Sequence, residues 1–282
     1  MSKVKIERFL KKTLGDCFYF IFGRTLGIRI SNFLLNWGRF DRENNIDSNG
    51  ELLIQKLVID LPISEKQKLT FDVGANIGEW ASNFLIKVPN SQFKVVAFEA
   101  ASATFKTLSI NFRTAGFGTM ATPIHAAVSE KVGSATFFTH GPEIGTNSLI
   151  EYGHAFQETT LVTTIDAYCK AEGIQHITFL KSDTEGGDFA VIKGASSLIA
   201  MGQIEVIQFE YNHRWINARC YLKDVFDFFA GQSYRIGKIT SKGVLFFDHW
   251  KPEMESFREA NYLICKSKWT QHFMRADSHV EL

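Results

Sequence analysis

The sequence predicts an α/β protein built on a doubly wound, mostly parallel sheet, and three observations carry that reading. From Leu69 onward, short apolar runs alternate with amphipathic stretches of helical length, the pattern of strands joined by helical crossovers. One apolar run ends in an acid and a glycine-rich turn, FDVGANIGEW at residues 71 to 80. The next run, VVAFEA, also ends in an acid, Glu99, so two acids close two consecutive strands.

The elements follow in order. Strands are expected at Leu69 to Val73, Phe93 to Glu99, Ala121 to Val128, Ile177 to Asp183 and Ile204 to Tyr211, with a late pair near Tyr234 to Ile239 and Tyr262 to Lys266. Between them Trp80 to Lys87, Ser102 to Ala115, Ala190 to Ala200 and Leu222 to Ala230 have the apolar spacing of surface helices. From Gly133 to Thr164 β-branched and aromatic residues are punctuated by glycine, which predicts short antiparallel strands or a covering loop inserted into the domain. Residues 1–67 read as a helical N-terminal cap, and 68–282 as the α/β domain. In the cap Phe18, Phe22, Leu26, Ile30, Phe33, Leu34 and Trp37 recur at three- and four-residue spacing. That stripe is compatible with peripheral membrane contact, or with packing on the α/β domain or on a second subunit in a homo-oligomer.

Charge excludes some functions. The chain holds 31 Lys and Arg against 30 Asp and Glu, so no overall field favours nucleic acid. Neither a Pro-Cys dipeptide nor an Asn/Asp-Pro-Pro-Tyr element of base-modifying enzymes is present. The four cysteines, Cys17, Cys169, Cys220 and Cys265, are widely separated and read as reduced thiols of a cytoplasmic protein. The apolar run at Cys17 to Phe22 is too short for a signal peptide, and no stretch is expected to span a bilayer.

The glycine-rich turn suggests the ligand. Glycines let backbone approach a nucleotide, and the following helix offers free N–H groups. The pattern Gly74-Ala75-Asn76-Ile77-Gly78 lacks the GxGxxG of a dinucleotide site, and Asp72 is poorly suited to a pyrophosphate. It suits a ligand bearing an ammonium and a sulfonium, and S-adenosylmethionine has both. Glu99 then stands where a carboxylate accepts both ribose hydroxyls. A third block, FLKSDTEGGDFAVIKGA at residues 179 to 195, ends its strand in Asp183 and Glu185, beside the reactive end of such a ligand. A carboxylate there can orient an acceptor hydroxyl or take its proton. The capping-box pattern of Ser182 and Glu185 offers a structural alternative. His213, His154 and His125 are further candidate bases. No HxH, HExxH or Cys cluster points to a metal, although a divalent ion at Asp183 and Glu185 would polarise an acceptor oxygen.

DVGANIG, the strand ending in Glu99, the HAAVS segment, TTIDAY at 163 to 168 and LKSDTEGGDFAVIKGA together resemble the successive motifs of the FkbM family of S-adenosylmethionine-dependent methyltransferases, over roughly residues 69 to 212. The resemblance implies a class I methyltransferase (Rossmann-like) fold with seven strands, the last antiparallel, and O-methylation of a saccharide or related small metabolite. By motif position Asp72, Gly74, Ala75, Asn76, Gly78, Glu99, Ala100 and Asp183 would bind the cofactor. Asp183, Glu185 and His213 are the catalytic candidates, with Asn147, Ser148 and His154 of the insertion as acceptor-binding candidates. The chain departs from the family pattern at Ala100, where proline is usual, at Ser182, where an aliphatic residue is usual, and at Asp188, where Glu is usual. Two other readings share the fold: a nicotinamide-dependent oxidoreductase, which the missing third glycine and Asp72 disfavour, and a catalytically silent binding protein, which would have no use for the two acids.

Overall fold

The computed structural model describes residues 3–41, 45–64, 68–88, 92–141 and 145–274. The chain divides into two compact units, Met1–Arg42 and Glu43–Leu282.

The first unit is helix α1 (Lys3–Arg39), broken at Gly23, whose φ of 63° and ψ of 176° lie outside the helical region. Glycine takes that positive φ without a Cβ penalty. The break has a packing consequence. Residues nine apart lie roughly 13 Å apart along a straight helix, yet the Phe18 ring sits 3.1 Å from where a Cβ on Gly27 would lie. Phe18 also packs on Phe22, with ring centroids 4.9 Å apart. Of the apolar stripe, Phe18, Phe22 and Ile30 are half-buried, while Leu26, Phe33, Leu34 and Trp37 are exposed.

The second unit begins at Glu43, ahead of the boundary near residue 68 that the sequence suggests. Helix α2 (Glu51–Ile59) buries Ile54 and Val58, and Leu61 follows them into a core with Trp80, Phe84, Phe93 and Phe179. The spacing of these residues puts them on one helical face, and Gln55 Nε2 ties that face to Trp80 O at 3.1 Å.

The main sheet has eight strands in the order β10-β9-β11-β8-β7-β1-β2-β3. Strands β1 (Lys68–Val73), β2 (Phe93–Glu99), β3 (Ala121–His125), β7 (Ile177–Ser182) and β8 (Ile204–Tyr211) pair in parallel. Strand β11 (Ala260–Lys266) inserts antiparallel between β8 and β9 (Tyr234–Thr240). The expected seven strands are present, and the eighth is β10 (Gly243–Phe247), an antiparallel hairpin partner of β9 at the sheet edge. Its turn closes where Thr240 Oγ1 donates to Gly243 O at 2.7 Å.

Strand alternation builds two cores. Along β2, Val96 and Phe98 join one hydrophobic cluster while Phe93, Val95 and Ala97 join the other. Helices α3 (Glu79–Lys87), α4 (Ser102–Thr114), α5 (Ile165–Glu172), α8 (Trp215–Ala218), α9 (Leu222–Phe229) and α10 (Thr270–Phe273) complete the layers with the pair α6 (Asp188–Lys193) and α7 (Ser196–Ala200). The sequence reads that pair as one helix. It divides at Gly194, where a Cβ would lie 2.2 Å from Ser129 O, and Asp166 caps the second piece by accepting from Ser197 N and Leu198 N. The strand expected at Ala121 to Val128 also divides. After His125 the chain leaves the main sheet, and β4 (Ala127–Val128) pairs with β6 (Phe156–Thr163), which in turn pairs antiparallel with β5 (Gly133–Thr139). The insertion is thus a small sheet of its own.

A carboxylate on β8 locks the late strands. Glu205 Oε1 lies 2.6 Å from Lys266 Nζ and 3.0 Å from His176 Nε2, and Trp269 Nε1 donates to Oε2 at 2.6 Å. Burial alone would raise its pKa; the donors from His176, Lys266, Trp269 and Lys268 more than reverse this and hold it well below the ordinary 4.5. Its stabilisation is therefore present above about pH 4.5 and fades as the pH falls below it. Glu205→Gln is expected to cost about 1.5–3 kcal/mol at pH 7 and progressively less in acid, measured by urea unfolding at pH 7 and pH 3.

Candidate active site

The strand order reverses between β1 and β7, and the ends of β1, β2 and β7 are laced together there. Gly74 N and Ala75 N donate to Phe98 O at 3.0 and 2.9 Å, and Asp183 N donates to Val73 O at 3.0 Å. Such a reversal opens a crevice at the carboxyl ends of the strands. The cleft is lined by Gly74, Asn76, Glu99, Ala100, Asn147 and Asp183, with an apolar side from Phe98, Ala127 and Phe137.

The glycine-rich turn is shaped by close approach. Gly74 has φ 75°, and a Cβ there would fall 1.8 Å from Asp183 O. Gly78, at φ 89°, leads into α3, where a Cβ would meet Leu108 and Phe112 of α4 at 2.7 Å. Between them Asn76 holds a left-handed conformation, φ 48°, unusual for a non-glycine residue. Its N–H donates to Glu99 Oε2 at 2.9 Å, while Ala101 N donates to Oε1 at 2.8 Å. Burial pushes the Glu99 carboxyl up to about 7 in spite of these donors.

Asp72 has no exposed surface, and it meets a cation that the sequence reading did not single out. Lys181 Nζ lies 3.1 Å from Asp72 Oδ1 and 3.5 Å from Asp183 Oδ2. Burial would lower the ammonium's pKa, but Asp72, Asp183 and Glu51 outweigh it and keep Lys181 charged. Glu51 comes from α2, where its carboxylate accepts from Gln208 Nε2 at 2.8 Å and Asn261 Nδ2 at 3.2 Å. Asp183 itself keeps 37% of its side chain exposed, at the cleft.

Beyond Asp183 lies an acidic group that only the structure assembles. Carboxylate oxygens of Asp183, Glu185 and Glu210 lie within 4.8 Å of one another, and among the described residues this trio has the spacing to hold a divalent ion. Protein groups already engage all three: Lys181 lies 3.5 Å from Asp183, the Arg214 guanidinium pairs with Glu185, and Asn212 Nδ2 donates to Glu210 at 2.5 Å. Burial, with Asp183 nearby, raises Glu185 to about 8 and drives Glu210 upward as well. Glu185 also takes a positive φ of 55°, local strain of a kind that gathers at functional sites. Ser182 and Asp188, two departures from the family pattern, turn out to be partners: Ser182 Oγ donates to Asp188 Oδ1 at 2.7 Å.

The insertion residues divide by role. Asn147 lines the cleft and accepts from His140 N at 3.0 Å. Ser148 is buried, its Oγ within 3.1 Å of Thr184 O and 3.0 Å of Glu185 O, so it pins the insertion to the turn after β7. His154 Nε2 lies 3.0 Å from Thr146 O, and its ring stacks on His140 at 4.4 Å. Burial pushes its pKa down. His213 is exposed on the turn between β8 and α8, and His125, at the end of β3, stacks on Phe105. Lys181, Glu51, Glu210 and Arg214 were missed by sequence reasoning. The one signal for Lys181 was a lone charge at the end of a largely apolar strand, whereas Glu210 shares β8 with Glu205 and Gln208 and does not stand out.

The family model described as methyltransferase FkbM domain matches residues 72–236. Among solved structures, a methyltransferase FkbM from Methylobacillus flagellatus KT is 20% identical with a TM-score of 0.46, over 72% of this chain and 45% of that one. The chain thus spans less than half the length of that relative. An rRNA methylase from Streptococcus thermophilus is 9% identical (TM-score 0.42; 76% of this chain, 94% of that one). An O-methyltransferase from Bacillus cereus in complex with SAH is 10% identical (TM-score 0.44; 83% and 88%). No curated protein matches the chain. Because the matched span runs from the acid of the glycine-rich turn through the acidic turn after β7 and on into β9, and takes in more than half of the sequence, the chain belongs to the FkbM family of methyltransferases.

Proposed function

We propose that the protein transfers a methyl group from S-adenosylmethionine to a hydroxyl oxygen of a saccharide or related small metabolite. The observation that carries this reading is the pairing of Glu99 and Asp183 in one cleft at the ends of β2 and β7, with the Gly74 to Gly78 turn between them. The cofactor supplies an electrophilic methyl group on a sulfonium. Glu99 would hold the ribose hydroxyls, and the apolar wall of Phe98, Ala127 and Phe137 would receive the adenine. Asp183, open to the cleft and fixed by Lys181, would orient the acceptor hydroxyl and take up its proton, a contribution of roughly 10²- to 10⁴-fold. The fixed charge of Lys181 would keep Asp183 in place, and the insertion, pinned through Ser148, would cover the methyl-transfer position. Asn147, in the cleft wall, would bind the acceptor.

Calorimetric titration with S-adenosylmethionine and, separately, NAD tests the cofactor assignment; mass spectrometry of hydroxylated saccharides incubated with protein and cofactor tests the acceptor. Saturable binding of NAD in place of S-adenosylmethionine would overturn the reading. A pH dependence follows from Glu99. Ribose hydroxyls donate to its ionised form, so affinity is expected to weaken as the pH falls through about 7. Glu99→Gln should reduce affinity at pH 8 by roughly 10- to 100-fold and flatten that dependence.

A further inference from the structure

We infer that α1 is an anchor that lies on an anionic membrane surface, its basic face toward lipid phosphates and its apolar residues in the acyl boundary. Between Lys3 and Arg39 the sequence carries eight Lys and Arg against two acids, Glu7 and Asp16, a net charge of +6 in a protein whose total is +1. The rest of the chain is therefore net negative. Part of this charge forms a face, although Lys11 is paired with Glu7 at 2.8 Å and Lys3, by its spacing, falls on the apolar side. Before the break Lys5, Arg8 and Lys12 recur at three- and four-residue spacing on one face, and Leu10, Leu14, Cys17 and Ile21 recur on the opposite one.

The apolar residues are open to solvent on a scale that single surface hydrophobics do not reach. Phe20 is 89% exposed, Leu14 and Ile21 each 68%, and Trp37 67%. Apolar surface collected in this way marks an interaction site. The break at Gly23 adds to the argument, because it ends one apolar stripe and starts another, Leu26, Ile30, Phe33 and Trp37, so each half carries its own lipid-facing side. The Trp37 ring suits the depth of lipid headgroups, and Phe20 and Phe33 suit the apolar face of an interfacial helix. Among the described residues no helix is long and apolar enough to cross a membrane, so the geometry is that of a helix lying in the interface. The excess of positive charge complements anionic lipid and opposes pairing of α1 with the α1 of a second copy.

The test is flotation of the full chain with vesicles of phosphatidylcholine alone and of phosphatidylcholine with 30% phosphatidylglycerol. Binding to the anionic vesicles, little to the neutral ones, and release at 0.5 M NaCl are expected. Lys5→Gln/Arg8→Gln/Lys12→Gln should weaken partitioning roughly 100-fold, and Phe20→Ser/Ile21→Ser should also release the protein. Both variants change exposed positions, and an unchanged urea midpoint checks their fold. Absence of binding, or equal binding to both vesicle types, overturns the proposal. So does sedimentation showing self-association that Phe20→Ser/Ile21→Ser abolishes without any vesicle binding, which would assign the stripe to a second copy.

Discussion

Gly74→Ala is expected to cost more than about 4 kcal/mol of stability, well beyond the ordinary range for one substitution, and to abolish binding of S-adenosylmethionine. The added Cβ would sit 1.8 Å from Asp183 O, a backbone atom that cannot rotate away. Moving it means parting the ends of β1 and β7, and the Asp183 N to Val73 O hydrogen bond lies in that seam. Positive φ alone does not account for such a loss. Gly153 has φ 96° with nothing within 4 Å of its would-be Cβ, so Gly153→Ala measures the backbone penalty by itself, about 1–2 kcal/mol. Urea midpoints of the two variants provide the comparison. Equal costs would mean that the two turns do not touch.

This seam shows how far the sequence can be read. Strand ends and their acids were legible because an apolar run that stops at Asp or Glu before glycines has few other uses, and Asp72, Glu99 and Asp183 all lie at strand ends. Their environments were not legible. Asp72 reads as a ligand-facing acid, yet it is fully buried against Lys181, since the direction of a strand-end side chain depends on what packs beneath it. Glu51 and Glu210 stand 159 positions apart, yet the charge of Asp183 acts on both, a proximity that crossover connections create and local periodicity cannot report. Ser182 and Asp188 read as two separate departures from the family pattern and form a single hydrogen bond. The division of the strand at 121–128 was hidden for a similar reason: Ala127 and Val128 are apolar in either sheet.

Lys181→Met should destabilise the protein by about 3–5 kcal/mol, because it leaves buried carboxylates without their counter-charge. The sign of the pH dependence distinguishes this from lost packing. In the variant, burial keeps the native pKa of Asp72 above its ordinary 3.8 with no ammonium to oppose it. A group raised in the folded state penalises folding above its unfolded pKa, so the deficit should be largest at neutral pH and shrink as the pH approaches 4. A cavity would cost the same at both. Lys181→Met/Asp72→Asn is then expected to recover at least about 1 kcal/mol over the single variant, since a neutral amide replaces the stranded charge. Recovery of stability should not restore turnover, because Asp183 would still lack the cation that fixes it beside the acceptor. If the double variant is no more stable than the single one, and the deficit does not change with pH, then Lys181 acts by filling space, and the electrostatic link between the acid beneath the glycine-rich turn and the acid at the acceptor position falls with it.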